Sequence, residues 1–328
     1  MKVILQKIRK RSMLLIQNFK SDYHFSMYYA FLRVLDEQGR RIHLKQISNV
    51  AHKKKDKWIL KYLNKRLYQV IQKYKNNIEM GIYTSNAPIW VCWWTGEDTA
   101  PELVKQCIRS IKKQSAEHPV YFIDCNSYER YLDIPAYMLE KVEKGEMGLA
   151  HLSDYIRVSL LEKYGGLWLD ATIFCSNTIP KEYFEIPVFT CKSKPVICTY
   201  ISQMRWTTFV LGGWKGNVFY KFLKEAFEEY WSKEKRAIDY LFFDYLIELA
   251  RCEIPQVLKD METIPINNNH RDDLQVAMNQ AIDGKHFKEI IREDTVLYKL
   301  SWREKYKTNT SNGCESVYGY FLNHRIDD

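Results

Sequence analysis

The sequence predicts an α/β fold, in which a mostly parallel sheet is covered by helices and preceded by a basic helical region. Three observations lead to this prediction. The first 80 residues concentrate the positive charge and contain one glycine and no proline. From residue 89 onwards, short apolar runs alternate with helical patterns, and a Gly-Gly pair separates one such helix from the next run. This alternation is typical of parallel sheets covered by helices.

The amino-terminal region differs from the rest in charge. Residues 1–80 contain 19 Lys+Arg and 5 Asp+Glu, a net charge of +14, whereas the remainder contains 30 and 35, a net charge of −5. Apolar runs such as Ile4–Ile8 and Met13–Ile16 lie among these basic residues. This pattern predicts a basic amphipathic helix, so we expect residues 1–60 to contact an anionic membrane. A solvated helical face is the alternative interpretation.

The charge of this region also raises nucleic-acid binding as an alternative function. No recognised nucleic-acid motif accompanies the charge, so we expect no nucleic-acid partner. We predict a basic helical region over residues 1–82, with a turn at Gly39, and an α/β domain over residues 83–328.

Hydrophobic periodicity and turn residues predict the elements of the α/β domain in order. The predicted strands are Ile89–Trp93, Val120–Ile123, Leu167–Leu169, Val188–Thr190 and Val196–Ile201. The predicted helices are Pro101–Lys113, Met147–Tyr164, Asn217–Trp231 and Ile238–Arg251.

Several classes of protein are excluded by the composition. No run approaches ~18 apolar residues, so no transmembrane helix is expected. The start of the chain is charged throughout and does not resemble a signal peptide. The eight cysteines form no Cys-x-x-Cys pair, so a zinc site is not expected. We therefore expect a cytoplasmic protein, either free or peripheral at the inner face of the cell membrane.

Three charged residues are predicted to meet at one edge of the sheet. Asp154 and Arg157 are three residues apart on a predicted helix and share a face. Gly165 and Gly166 then turn the chain into an apolar strand that ends at Asp170, and ligands bind beyond the carboxyl ends of such strands. An arginine suits phosphate oxygens, and carboxylates suit sugar hydroxyls or a metal. The alternative for the first pair is a surface ion pair that contributes about 0.2–0.5 kcal/mol.

The segment Ser153-Asp154-x-x-Arg157, followed by Tyr164-Gly-Gly-x-Trp168-x-Asp170, resembles the glycosyltransferases of family 32, especially their capsular polysaccharide synthesis branch. The resemblance covers residues 87–180 well and continues beyond them only in fragments. It implies a GT-A-like, Rossmann-type fold and transfer of a sugar from a nucleotide-sugar donor, a UDP-sugar, to a glycan acceptor in capsular or exopolysaccharide biosynthesis, with retention. The acceptor would be an oligosaccharide or a lipid-linked one.

The resemblance also implies roles for the clustered residues. Asp154 and Arg157 would bind the donor sugar and its phosphates. Asp170 would be the first carboxylate of the Asp-x-Asp motif, contacting ribose and helping to hold Mn²⁺ or Mg²⁺. Thr172 stands where the second aspartate is expected and is a weaker, neutral metal ligand. A sugar-nucleotide-binding protein that has lost catalysis is therefore an alternative.

The segment around Trp93, Trp94 and Gly96 resembles the opening strand of the family and its base-contacting aromatic residue. An aromatic face stacked on a base contributes ~1–3 kcal/mol. Trp94 is our candidate for this stacking, and the alternative is that these tryptophans fill the core. The glycine-rich segment that contains Gly213 resembles one placed near the donor and acceptor sugars.

The remaining candidates lie later in the chain. Asp244, on a predicted helix, is a candidate for contact with the acceptor hydroxyl, and a helix surface position is the alternative. Lys299, Ser301 and Trp302 resemble a carboxyl-terminal segment that folds over the diphosphate. Tyr298 stands where family members often carry a histidine, and Lys299 is expected to offset the charge of the leaving group.

Overall fold

The computed structural model describes residues 2–196, 200–282, 287 and 289–323. Its helices are α1 Lys2–Tyr23, α2 Met27–Arg41, α3 Lys45–Arg66, α4 Tyr68–Tyr74, α5 Glu102–Gln114, α6 Ala136–Glu143, α7 Leu149–Tyr164, α8 Val218–Lys233, α9 Phe242–Glu253, α10 Pro255–Glu262, α11 Asp273–Ala277 and α12 Val317–Asn323. Its strands are β1 Ile89–Cys92, β2 Val120–Ile123, β3 Gly166–Leu169, β4 Ile173–Cys175, β5 Val188–Thr190, β6 Val210–Gly213 and β7 Leu297–Lys299.

The central sheet has five strands in the order β2-β1-β3-β6-β5. Strand β1 pairs in parallel with both β2 and β3, whereas β6 is antiparallel to β3 and to β5. Four of the five strands therefore run in the same direction. A separate antiparallel pair joins β4 to β7. This mixed α/β architecture with a mostly parallel sheet confirms the predicted fold class and is compatible with a GT-A-like arrangement.

The turn between α7 and β3 depends on two glycines. Gly165 and Gly166 have φ angles of 69° and 96°, in the region that favours glycine. A Cβ atom on Gly166 would lie 2.0 Å from the carbonyl oxygen of Pro88. Only glycine lets the chain pass this close to the start of β1, and the backbone of Leu167 then donates a hydrogen bond to that same carbonyl, at 2.9 Å.

The amino-terminal helices pack against the α/β part and share its core. The Tyr29 hydroxyl donates to the Ile238 carbonyl at 2.5 Å, and the Tyr245 hydroxyl donates to Asp56 at 2.6 Å. One buried hydrophobic cluster includes Leu63 of α3 together with Trp168 of β3. The helical character of this region is confirmed, while the boundary at residues 82 and 83 stays a prediction.

The predicted turn at Gly39 is wrong. Gly39 lies inside α2, because its missing side chain lets α2 approach α3. A Cβ atom there would lie 3.1 Å from Ser48. The turn comes later, at His43, with a φ of 59°.

The predicted strand over residues 196–201 falls in part outside the described residues. Residues 197–199 lie outside the described part of the chain, and Val196, Tyr200 and Ile201 belong to no strand. Val196 and Tyr200 are both exposed, so they have no sheet face to pack against. Within the described residues, none of the helices is both long and apolar enough to span a bilayer.

Candidate active site

The carboxyl ends of β1, β2 and β3 meet at one edge of the sheet because the three strands are parallel. Trp93 follows β1, Asp124 follows β2 and Asp170 follows β3 at this edge. The antiparallel strand β6 begins there, and the Asp170 amide donates a hydrogen bond to the Phe209 carbonyl at 2.9 Å. Loops from four strands therefore surround one location, where an α/β sheet offers its ligand site.

Arg157 lies at the centre of the charged cluster and is 4% exposed. Its Nη2 atom is 3.2 Å from Asp154 Oδ1 and 3.2 Å from Asp170 Oδ1. Its Nη1 atom donates to the Thr208 carbonyl, and the guanidinium lies over the Trp168 ring, 4.9 Å from its centroid. The structure thus brings together the helix pair and the strand-end aspartate, as the sequence predicts.

Asp170 receives hydrogen bonds from three side chains. Besides Arg157, they are Trp168 Nε1 at 3.0 Å from Oδ1 and Lys299 Nζ at 3.0 Å from Oδ2. Burial alone would raise the pKa of this carboxyl group, but the positive charges of Lys299 and Arg157 outweigh it, so the pKa lies below its ordinary value. Asp170 is therefore a carboxylate at neutral pH. Its side chain remains 26% exposed, which leaves it accessible to a ligand.

The pairing of β4 with β7 places Lys299 beside Asp170. Lys299 is opposite Ile173 in this pair, and the Leu300 amide donates to the Thr172 carbonyl at 3.0 Å. The Lys299 ammonium donates to Thr172 Oγ1 at 2.5 Å as well as to Asp170. Tyr298, the preceding residue, is buried in the core, and its hydroxyl accepts a hydrogen bond from the Arg292 amide.

The divalent metal that the resemblance implies does not fit these side chains. Asp170 and Thr172 both direct their oxygens at the Lys299 ammonium, which lies within hydrogen-bond distance of each. Mg²⁺ requires oxygen ligands at about 2.0–2.1 Å, so an ion on Asp170 would be close to that ammonium and repelled by it. Among the described residues, no group of three or more His, Cys, Asp or Glu side chains is arranged to hold a metal.

Asp244, near the start of α9, belongs to the same charged region. The pKa of its carboxyl group is raised to about 7, chiefly by burial and also by the Asp154 charge, although the Trp206 hydrogen bond and the Arg157 charge lower it. Trp206 Nε1 donates to Asp244 Oδ1 at 2.9 Å. The Asp244 residue is half-buried.

The aromatic candidates divide into two groups. The Trp93 and Trp302 rings contact each other edge to face, with centroids 5.6 Å apart, so Ser301 and Trp302 lie next to the end of β1. Trp94 packs instead against Tyr128, with centroids 5.5 Å apart. Gly96 follows with a φ of 90°, and a Cβ atom there would lie 3.9 Å from Asp124.

Gly213 lies apart from the cluster, at the opposite end of the sheet. It pairs with Gly166, at the start of β3, whereas Asp170 follows the end of that strand. A Cβ atom on Gly213 would lie 2.5 Å from the Pro187 carbonyl oxygen and 2.8 Å from Tyr220. This glycine allows close packing within the protein, and its predicted ligand contact stays a prediction.

Sequence reasoning missed several residues of the site. Trp168 could have been found, since it is two residues before Asp170 and so on the same side of the strand. Asp124 follows the predicted strand β2. The pKa of Cys92, at the end of β1, is raised to about 12, chiefly by burial; the Arg157 charge lowers it, and the Asp170 and Asp124 charges raise it. Trp206 gave no local signal, whereas Phe209 begins the glycine-rich segment that resembles one in the family.

A mostly parallel sheet with two carboxylates, an arginine and a lysine at its carboxyl edge defines an α/β protein of the class that binds ligands beyond its strand ends. The chain belongs to the capsular polysaccharide synthesis protein family, whose family model matches residues 39–321.

Two curated fungal relatives are similar to part of the chain. The O-glycosyltransferase PaGT of Phomopsis amygdali is 27% identical over 129 residues, which cover 34% of this chain and 32% of the relative. The O-glycosyltransferase braB of Annulohypoxylon truncatum is 24% identical over 167 residues, which cover 45% and 38%. The chain therefore matches less than two fifths of the length of each relative. No solved structure matches it.

Proposed function

We infer that the protein is a glycosyltransferase that moves a sugar from a nucleotide-sugar donor, a UDP-sugar, to a hydroxyl group of a glycan acceptor in capsular or exopolysaccharide biosynthesis. The observation that carries this proposal is the cluster of Asp154, Arg157, Asp170 and Lys299 at the carboxyl edge of the sheet. The resemblance to family 32, the family match and the names of the fungal relatives support it.

The reaction exchanges two bonds at the anomeric carbon. The bond from this carbon to the β-phosphate oxygen breaks, and the oxygen keeps the electron pair and leaves as the nucleoside diphosphate. The acceptor oxygen forms the new bond on the same face of the sugar, with retention, and its proton passes to a base. The protein must therefore stabilise negative charge on the diphosphate and positive charge at the anomeric carbon.

The cluster supplies groups for both tasks. Lys299 offers a cationic donor to the diphosphate, the buried Arg157 adds positive charge behind it, and the carboxylates of Asp154 and Asp170 bind hydroxyl groups of the sugar and the ribose. Trp93 and Trp302 form an aromatic corner beside them, and Trp94 is a second aromatic surface for the base.

A panel of UDP-, GDP-, CMP- and dTDP-sugars tests this function. We expect one class of donor to raise the melting temperature by mass action and to release its nucleotide product faster when an oligosaccharide acceptor is added. Binding without release would favour the alternative of a sugar-nucleotide-binding protein, which the threonine at position 172 motivates. Absence of any shift with every donor would contradict both.

Asp244 is the proposed base for the acceptor hydroxyl. Its pKa of about 7 means that it gains charge as the pH rises through neutrality. We expect kcat/KM to rise with pH to a plateau with a midpoint near 7. Asp244→Asn should abolish the rise of kcat/KM with pH and lower its plateau value by ~100-fold, the usual contribution of a general base.

The control for this experiment is Asp260→Asn. Asp260 is also buried with a raised pKa, but it lies on α10 and binds Asn217 and Gln256 instead. This variant should keep the pH profile of the natural protein.

The pH dependence of the free energy of unfolding gives a second measurement of the Asp244 pKa. The pKa of Asp244 in the folded protein is raised above the ordinary value of 3.8, so ionisation of this buried carboxyl group destabilises the fold. This destabilisation is absent below pH ~4 and complete above pH ~7. The free energy of unfolding of Asp244→Asn should therefore rise relative to that of the natural protein as the pH increases across this window. An unchanged profile in Asp244→Asn would exclude this role.

The acceptor is an oligosaccharide, lipid-linked or free, which the enzyme meets at the membrane surface. The hairpin of α2 and α3 has an exposed apolar groove lined by Tyr28, Phe31, Ile47 and Val50, with Lys54 at its side. Exposed apolar side chains beside lysines suit an interface rich in anionic lipid. This face remains available, although other residues of α2 and α3 are packed against the α/β part.

Replacing Phe31 and Val50 together with glutamate should reduce binding to phosphatidylglycerol vesicles by tenfold or more, because apolar area is lost and negative charge is added. Flotation with vesicles measures this change. Val276→Glu is the control, since Val276 is 74% exposed on α11 and should tolerate the change. Equal retention of the double variant, or retention of the natural protein on DNA but not on vesicles at matched salt, would contradict the membrane assignment.

A further inference from the structure

Lys299 occupies the position where the resemblance implies a metal. Its Nζ atom is 3.0 Å from Asp170 Oδ2 and 2.5 Å from Thr172 Oγ1, the two positions of the Asp-x-Asp motif. An ammonium group has three donors, and in the described part of the chain it has these two side-chain acceptors. The side chain is 25% exposed, so the remaining donor is available to an anion that binds at this edge of the sheet.

The charges of the cluster are already balanced without a metal. Asp154 and Asp170 carry two negative charges, and Arg157 and Lys299 carry two positive charges at ion-pair distance from them. A divalent ion bound to Asp170 would lie close to Arg157 and Lys299, which are 3.2 Å and 3.0 Å from that carboxylate, and both cations would repel it. Replacement of the second aspartate by Thr172 removes the charge that would otherwise compensate the ion.

The backbone holds Lys299 firmly in place. Its amide donates to the Arg271 carbonyl at 2.7 Å, and the residue is paired with Ile173 in the β4–β7 pair. The ammonium also lies 5.1 Å from the centroid of the Phe209 ring. A cation on a paired strand is preorganised, so little reorganisation is needed when negative charge develops beside it.

We propose that the Lys299 ammonium replaces the divalent metal, so that sugar transfer by this protein is independent of metal ions. The ammonium donates to the β-phosphate oxygen that receives the electron pair when the glycosidic bond to phosphate breaks. This inference rests on the proposed glycosyltransferase function, and it assigns the cation that this function requires.

The first experiment compares the natural protein in EDTA and in Mn²⁺. The binding probe is the nucleoside diphosphate of the preferred donor, and the readouts are its melting-temperature shift and the rate of nucleotide release. We expect the melting-temperature shift and the rate of nucleotide release each to differ by less than twofold between EDTA and Mn²⁺. A shift that appears only with Mn²⁺ would overturn the metal-independent assignment while leaving the transferase function intact. No shift under either condition would overturn both.

The second experiment changes the cation. Lys299→Met should reduce turnover by ~100-fold or more, in EDTA and Mn²⁺ alike, because a preorganised donor to the leaving group is lost. Lys221→Met is the matched control, since Lys221 also forms an ion pair, with Glu79 at 2.7 Å, but lies outside the cluster. Full activity of Lys299→Met would overturn the proposal.

A double variant tests the equivalence of the ammonium and a metal. Thr172→Asp combined with Lys299→Met creates the two-carboxylate arrangement without the competing ammonium. We expect this variant to bind the nucleoside diphosphate and to turn over donor at least tenfold faster with Mn²⁺ than with EDTA. An equal response to Mn²⁺ in the double variant and in Lys299→Met alone would contradict the replacement.

Discussion

Changing Asp170 to asparagine is expected to lower the rate of sugar transfer by about 1000-fold. Asp170 accepts hydrogen bonds from Arg157, Trp168 and Lys299, and asparagine keeps its shape but loses its charge. The two cations then lack the anion that positions them, and misplacement of a preorganised cationic site costs two to three orders of magnitude in rate. Release of the nucleotide product at saturating donor measures the effect.

A matched control separates this loss from general destabilisation. Asp36 is also a buried carboxylate whose pKa is lowered on balance, although burial opposes the shift, because His52, Ser48 and Arg40 favour its charged form. It lies on α2, outside the cluster. Asp36→Asn should therefore lose stability but keep its turnover per folded molecule. Retention of more than a tenth of the natural activity in Asp170→Asn would show that Asp170 does not organise the site.

Replacing Arg157 with leucine is expected to reduce the free energy of unfolding by about 3–5 kcal/mol, the usual effect of removing one partner of a buried ion pair. The change leaves the carboxylates of Asp154 and Asp170 beside each other without their shared cation and removes the donor to the Thr208 carbonyl. Urea denaturation at pH 7 measures the loss, and activity should fall with it.

The control for Arg157 is Arg109→Leu. Arg109 forms an ion pair with Glu102 on α5, but its side chain is 54% exposed, so the free energy of unfolding should change by about 0.5 kcal/mol or less. Lowering the pH should narrow the difference between Arg157→Leu and the natural protein, since protonated aspartates need no cation. A loss below about 1 kcal/mol for Arg157→Leu would contradict the central position of this residue.

The segment from α7 to Asp170 could be predicted because its signals are local. A run of apolar residues, a glycine pair and a short apolar strand determine where Asp154, Arg157 and Asp170 lie, and the helix, turn and strand form as predicted. The alternation of strands and helices indicates parallel strands, whose carboxyl ends lie at one edge of the sheet. Asp170 is therefore predicted to lie at that edge. The convergence of the three charged side chains is therefore readable from the sequence.

The rest of the site depends on pairings between distant residues. Lys299 is 129 residues from Asp170 and reaches it through β4 and β7, two strands of three residues each that are too short to give a periodic signal. Trp206 likewise donates a hydrogen bond to a distant residue, Asp244, which lies 38 residues further along the chain. Gly39 illustrates the converse, because a glycine that reads locally as a turn is used where two helices approach closely.

A crystal structure with a bound nucleoside diphosphate, grown in EDTA, tests the central assignment most directly. We expect the diphosphate at the carboxyl edge of the sheet, with a phosphate oxygen about 2.7–3.2 Å from Lys299 Nζ and the carboxylate of Asp170 directed at the ribose or the sugar. A diphosphate bound elsewhere on the protein, with Lys299 still closed on Asp170 and Thr172, would contradict it.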